Sequence, residues 1–175
     1  MERRKFTKMQ GIGNDYIYFD CVKDGELKNP NEVAIKLSDR HFGIGGDGII
    51  LICPSNIADA KMRMFNLDGS EGKMCGNGIR CVAKYCYDTG IVSKKNFTVE
   101  TLSGIKNISV VEEKDCKATL LSVDMGAAIL NPSDIPVNLD GDKVVAKEIN
   151  VGGKNYKITC VSMGNPHCVI FVDDV

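Results

Sequence analysis

The spacing of apolar and polar positions changes period several times along the chain, and each change marks an element. Residues 5–10 (KFTKMQ) and 16–22 (YIYFDCV) are rich in β-branched and aromatic side chains and flank Gly11-Ile12-Gly13-Asn14-Asp15, which predicts two strands joined by a tight turn. A helix is expected over 30–40, where Asn29 stands as cap, Pro30 takes the first helical position and Glu32 follows the cap by three. Over 59–65, Ala60, Met62 and Met64 alternate with Lys61, Arg63 and Phe65, the period of a strand. From Asn77 the period lengthens: Ile79, Val82, Ala83 and Cys86 fall at i, i+3, i+4 and i+7, an amphipathic helix that Gly90 ends. Cys86 lies on that apolar stripe and reads as core, whereas Cys81 lies off it. Beyond Gly90 the chain is strand-like over 97–102, 105–112, 119–125, 143–151, 156–161 and 168–172, with turn formers such as Ser103-Gly104 and Asp140-Gly141 between. Strands predominate and helices are few, so the expected class is α+β.

Composition narrows the picture. At 175 residues, with 43% hydrophobic and 26% charged residues and no tryptophan, the chain has enough apolar surface for a core in one domain or one and a half. The net charge is −1, and lysines and arginines are scattered apart from Arg3-Arg4-Lys5, which argues against a nucleic-acid partner. MERRKFTKMQ carries charge but no apolar stretch behind it, and no run approaches the roughly 18 apolar residues of a membrane span. No membrane association is expected, and the location is read as cytoplasmic. Eight cysteines in a chain without a secretory signature read as reduced thiols. No Cys-x-x-Cys occurs and only two histidines are present, so zinc-site and thioredoxin spacings are missing.

Three stretches carry candidate chemistry. Gly43-Ile44-Gly45-Gly46-Asp47-Gly48 matches the dinucleotide fingerprint G-x-G-x-x-G, but a helix precedes it and a strand-like run, Ile49-Ile50-Leu51-Ile52, follows. That is the reverse of what a pyrophosphate site needs, and glycines bending the backbone at a strand entrance account for the pattern. In NLDGSEGKMCGNGIRCVAKYC, Cys75 stands where a polar, glycine-rich turn becomes a helix. A helix N-terminus stabilises thiolate over thiol, and the amides of Gly76 and Asn77 lie uncovered enough to cradle a carboxylate. Cys75 is thus either a reactive thiolate or a small buried residue before a helix. Asn14 and Asp15 are either turn formers or site residues, and Ser162-Met163-Gly164-Asn165-Pro166-His167 is either a rigid connector or part of a site.

FTKMQGIGNDYIYFD, RHFGIGGDGIILI, MFNLDGSEGKMCGNGIRC and SMGNPHCVIFVDD resemble, in order, four signature segments of diaminopimelate epimerase. The resemblance implies a fold of two similar halves, each a β-rich barrel-like layer around a central helix. It implies interconversion of LL- and meso-2,6-diaminopimelate, a step of lysine and peptidoglycan precursor synthesis, with no cofactor. Two cysteines on opposite faces of the α-carbon would exchange the proton. By this match Cys75 is one of them, and Gly76 and Asn77 donate backbone hydrogen bonds to the carboxylate at the reacting centre. Asn14, Asn66 and Asn165 bind the substrate, chiefly its far end, and His167 tunes the cysteines. The full-length relatives are expected to be homodimers.

The family's second cysteine segment, beginning Glu-Arg-Gly and reaching Ala-Cys-Gly, has no counterpart here; only Cys75 is followed by glycine. The chain therefore resembles the first two-thirds of an epimerase. Residues 1–118 would form the first half and 119–175 the start of a truncated second one, and these 175 residues alone are expected to be inactive. Other readings are a racemase or isomerase of the same fold acting on proline or another carboxylate, a non-catalytic ligand-binding fragment, or a redox thiol protein.

Overall fold

The computed structural model of the chain describes residues 3–174, in two compact units, Met1–Asp124 and Met125–Val175. In the first, β1 (Thr7–Gly11) and β2 (Asn14–Asp20) form an antiparallel hairpin in which Gly11 pairs with Asn14. Its turn is Ile12-Gly13, with φ of 56° and 80°. Positive φ at both central residues suits the right-handed twist of a two-residue hairpin, and it makes Asn14 the first residue of β2.

Helix α1 (Pro30–Ser38) follows, then β3 (Gly48–Cys53), β4 (Ala60–Asn66), the short β5 (Glu71–Gly72) and helix α2 (Gly76–Asp88). Strands β6 (Asn96–Thr101), β7 (Gly104–Lys114) and β8 (Lys117–Asp124) complete one sheet in the order β1-β2-β3-β4-β6-β7-β8, with β5 beside β4. The β2–β3 and β4–β6 pairings are parallel and the others antiparallel.

Both faces of the sheet centre are covered. Ile17, Phe19, Ile49, Leu51 and Phe65 cluster with Ala34 of α1 on one face. On the other lie Tyr16, Tyr18, Ile50, Met62 and Met64, under the α2 stripe of Ile79, Val82, Ala83 and Cys86, all buried. This double cover explains why β3 reads as a continuous apolar run without alternation. Cys81 is buried too, and faces the Tyr18 hydroxyl. Helix α2 packs on β2 and β4 and also on both edge strands, β1 and β8, so the sheet curls around it. The architecture is α+β, a barrel-like β layer around a central helix.

In the second unit, a short 3-10 helix (Pro132–Asp134) precedes β9 (Lys147–Val151), β10 (Lys154–Ser162) and β11 (Pro166–Ile170), ordered β11-β10-β9. Ile135, Val144, Ile158 and Cys160 form its small core. Strand β8 pairs along β7 as far as Asp124 and belongs with the first unit.

Three local expectations differ, and one short element was not foreseen. Helix α1 ends at Ser38, because the glycine loop folds back onto its last carbonyls: Ile44 and Gly45 amides both donate to Leu37 O at 2.9 Å, and Gly46 N to Ser38 O at 3.0 Å. A Cβ on Gly43 would lie 2.5 Å from Lys36 O, so only glycine permits this approach. Asn29 adopts φ 49° and its side chain makes no cap bond, so the capping box does not form. The strand expected over 143–151 begins only at Lys147. Ala146, at φ 49°, breaks it and donates to Thr159 Oγ1, while the Val144 carbonyl accepts from Cys160 N at 2.9 Å. The 3-10 turn, where Asn131 Oδ1 accepts from Ser133 N, had no periodic signal to announce it. Among the described residues no helix is long and apolar enough to cross a membrane.

Candidate active site around Cys75

Cys75 is the N-cap of α2, with extended backbone, φ −136° and ψ 107°. Its sulfur does what a capping side chain does, accepting the Gly78 amide at 3.2 Å, and its carbonyl accepts Ile79 N at 2.9 Å. The amides of Gly76 and Asn77 therefore have no acceptor within the helix and face outward at its positive end. Gly78 allows the arrangement, since a Cβ there would stand 2.7 Å from Ile50 Cδ1 and 3.3 Å from the Cys75 sulfur. Arg80 reaches back along the first turn, donating to Gly76 O at 3.1 Å and to Asn77 Oδ1 at 2.7 Å.

The Cys75 thiol donates to Asn14 Oδ1 at 3.2 Å, a partner 61 residues earlier. The orientation of that amide is set from its other side, because Asn14 Nδ2 donates to Asp47 Oδ2 at 2.6 Å and leaves only the oxygen for sulfur. The same Asp47 oxygen accepts Asp15 N at 3.1 Å, and the Asp47 carbonyl accepts Leu67 N at 3.1 Å. Asp47 thus ties the start of β2 to the turn that follows Asn66. Asn66, opposite Gly48 at the end of β4, donates through its backbone to Ser70 O at 2.9 Å and through Nδ2 to Ser70 Oγ at 3.0 Å.

Charge stiffens this corner. Arg40 bridges Asp15 Oδ1 at 2.7 Å and Asp47 Oδ1 at 3.0 Å, and Lys8 pairs with Asp15 Oδ2 at 2.8 Å while donating to the Gly45 carbonyl. Tyr16 is buried with its hydroxyl beside the Cys75 sulfur and Asn14, and desolvation, then the neighbouring Cys75, holds its proton well above the usual phenol range.

Cys75, Gly76, Asn77 and Asn14 are thereby brought into one corner of the first unit, and Asn66 is joined to it through Asp47. Asn165 and His167 lie in the second unit, on the β10–β11 hairpin, where His167 Nε2 and Asn165 Oδ1 are 3.1 Å apart. The sequence reading missed Asp47, Arg40 and Tyr16, and had left Asp15 open between turn former and site residue. The available signal was a lone carboxylate inside an otherwise neutral glycine run, set aside along with the decoy fingerprint.

Two outcomes follow from this corner. Arg40, then Lys8, lowers the Asp15 carboxyl from 3.8 to about 2. A depressed carboxylate contributes stability above its unfolded value, lost as pH falls through the folded one. Acid unfolding of Asp15→Asn and wild type should therefore differ above pH 4 and converge between about 4 and 2; curves that stay parallel across that window would disprove the linkage. Asp47→Ala releases the Asn14 amide, and the loss of charge-assisted hydrogen bonds predicts a fall in kcat/KM of roughly tenfold to a hundredfold. Steady-state kinetics in a complete enzyme carrying this corner would show it, and an unchanged kcat/KM would exclude a positioning role.

Comparison with known proteins bears on the family and the fold. The sequence model described as diaminopimelate epimerase matches residues 6–131. The diaminopimelate epimerase of Acetivibrio thermocellus is 56% identical over 171 residues, covering 98% of this chain and 60% of the relative. That of Methanococcus maripaludis strain S2 is 52% identical, covering 98% of this chain and 61% of the relative. The chain thus spans about 60% of the length of these curated relatives. Among solved structures, a probable proline racemase from Agrobacterium radiobacter K84 superposes with a TM-score of 0.71 at 14% identity, over 96% of this chain and 52% of that one. A hydroxyproline epimerase from Agrobacterium vitis gives 0.66 at 13% identity, over 94% and 50%. At such identities the structures speak for the fold alone, whereas the sequence match over most of the chain speaks for the family. The chain belongs to the diaminopimelate epimerase family.

Proposed function

We propose that this chain carries one half of the acid–base pair of a cofactor-independent epimerase that interconverts LL- and meso-2,6-diaminopimelate. The observation that supports it most directly is the Cys75 thiol at the N-cap of α2, bonded to Asn14 and flanked by the outward amides of Gly76 and Asn77. A substrate carboxylate placed on those amides would sit at the positive end of the helix, where negative charge is favoured. It would also present the α-carbon beside the sulfur. As the thiolate takes the α-proton, the electron pair of the broken C–H bond spreads into the carboxylate, and the same amides stabilise the charge that develops there. A second group on the opposite face then returns a proton, inverting the centre.

Asn14, Asn66 and Asn165 suit the zwitterionic far end of the substrate, since each amide offers donors and an acceptor. His167, hydrogen-bonded to Asn165, is proposed to tune the site rather than to move the proton. Inversion needs acid and base on two faces, and Cys75 supplies one. These 175 residues alone are accordingly proposed to lack turnover.

The test is solvent deuterium incorporation at the α-carbon of LL-diaminopimelate, followed by NMR. The chain is assayed alone and joined to the remaining C-terminal segment of the Acetivibrio relative. Exchange by the joined protein and none by the chain alone is expected. No exchange by a folded joined protein would overturn the function, and Cys75-dependent exchange by the chain alone would overturn the requirement for a second group.

A further inference from the structure

The proposed reaction uses one thiol, and the same sheet carries two others placed against each other. Strands β2 and β3 run parallel with Asp20 opposite Ile52, and the Cys21 amide continues the ladder by donating to Ile52 O at 2.8 Å. That rung sets Cys21 opposite Cys53. Side chains alternate along strands, and both cysteines join Phe19 and Leu51 in the cluster beneath α1, so they project from the face opposite α2 and Cys75. Neighbouring strands lie about 4.7–4.9 Å apart, within the roughly 4.4–6.8 Å between Cα atoms that a disulfide spans.

The surroundings favour exchange. The neighbouring Cys53 thiol first, and then the Leu27 amide, lower the Cys21 thiol from 9.0 to about 7. Cys53 is pushed the other way, by the neighbouring Cys21 first and then by burial. The pair therefore sets a thiol of lowered pKa beside a second thiol on the neighbouring strand, the arrangement of an attacking and a resolving cysteine. A cavity of about 360 Å3 opens on both residues, bounded also by Leu51, Pro54, Lys61 and Arg63. The two cations are held by Glu100 and Glu71, and Glu26 lines the same cavity, so its charge is mixed.

We propose that Cys21 and Cys53 form a dithiol site, on the face of the sheet opposite Cys75, that small organic disulfides oxidise to a Cys21–Cys53 cross-link. The Cys21 thiolate attacks one sulfur of the disulfide, breaking its S–S bond, forming a mixed disulfide and releasing one thiolate, which takes up a proton. Cys53 then loses its proton and attacks the Cys21 sulfur, expelling the second small thiol. The protein loses two electrons and two protons, and the disulfide becomes two thiols.

Glutathione disulfide is the probe, applied to the full chain in the Cys75→Ala background and followed by non-reducing peptide mass mapping. The expected product is a Cys21–Cys53 peptide pair two hydrogens lighter than its reduced parts and restored by dithiothreitol. In Cys53→Ser the resolving thiol is gone, and a glutathione adduct is expected to accumulate on Cys21. Mapping separates this pair from Cys160 and Cys168, which face each other across β10 and β11. The unsubstituted pair is read directly, so the result does not depend on a cysteine variant of this site folding. Adducts on exposed Cys116 with Cys21 and Cys53 still reduced would overturn the proposal. So would a Cys21 adduct that never resolves while Cys53 is present. The readout involves no turnover and stands apart from the reading of Cys75.

Discussion

Replacing Cys75 by alanine is expected to lower α-proton exchange on the order of a thousandfold, the scale on which a positioned acid–base group contributes. The sulfur has two duties, and the test must separate them. As N-cap it accepts the Gly78 amide, and losing a capping side chain costs about 1 kcal/mol. As the proposed base it must shed a proton in the working pH range. Serine keeps the first duty and loses the second, because its hydroxyl is among the preferred N-caps but is far too weak an acid. Cys75→Ser should therefore melt close to wild type while remaining as inactive as Cys75→Ala. Deuterium incorporation by NMR, beside thermal unfolding of both variants in the joined protein, checks this. A serine variant that keeps exchange within tenfold of wild type would remove Cys75 from the chemistry and leave it a cap.

The second large effect is on stability. Phe65→Ala should lower the unfolding free energy by about 3–5 kcal/mol, the usual cost of deleting a large buried ring and leaving its cavity. Phe65 is fully buried in the cluster formed by Ile17, Phe19, Ile49 and Leu51 beneath α1, and the Arg63 guanidinium stands 5.1 Å from its ring centroid. Domains of this size hold only about 5–15 kcal/mol in total, so the variant should sit close to the threshold. Phe65→Leu, which keeps most of the volume, should cost far less. Urea titration measures both. A loss under 1 kcal/mol for the alanine variant would mean that the cluster does not anchor the end of β4. Asn66 follows Phe65 directly, so a core defect is also expected to loosen the candidate site.

The parts of the fold legible in the sequence were those set by neighbours in the chain. The α2 stripe of Ile79, Val82, Ala83 and Cys86 is a local period, and all four residues are buried. The Gly11–Asp15 turn is local chemistry, and the hairpin formed with Asn14 opening β2. Cys75 at the start of a helix was legible for the same reason. Expectations failed at two local signals. Asn29 offered capping chemistry but adopts a left-handed conformation without a side-chain cap bond, and the apolar run after Lys143 breaks at Ala146, whose amide donates to the distant Thr159.

By itself, the sequence determined the α+β class, the placement of Cys75 at a helix N-terminus with glycines that leave the next amides uncovered, and membership of an epimerase family. Only the tertiary structure decided which group orients Asn14. Asp47 lies 33 residues away inside a run that looks like a phosphate loop, and no periodicity links a carboxylate to an amide on another strand. Likewise, Cys21 and Cys53 carry no shared motif and become neighbours only because β2 and β3 pair in parallel across an intervening helix. Side-chain period follows from local backbone geometry, whereas pairings between strands depend on how the whole sheet closes around α2.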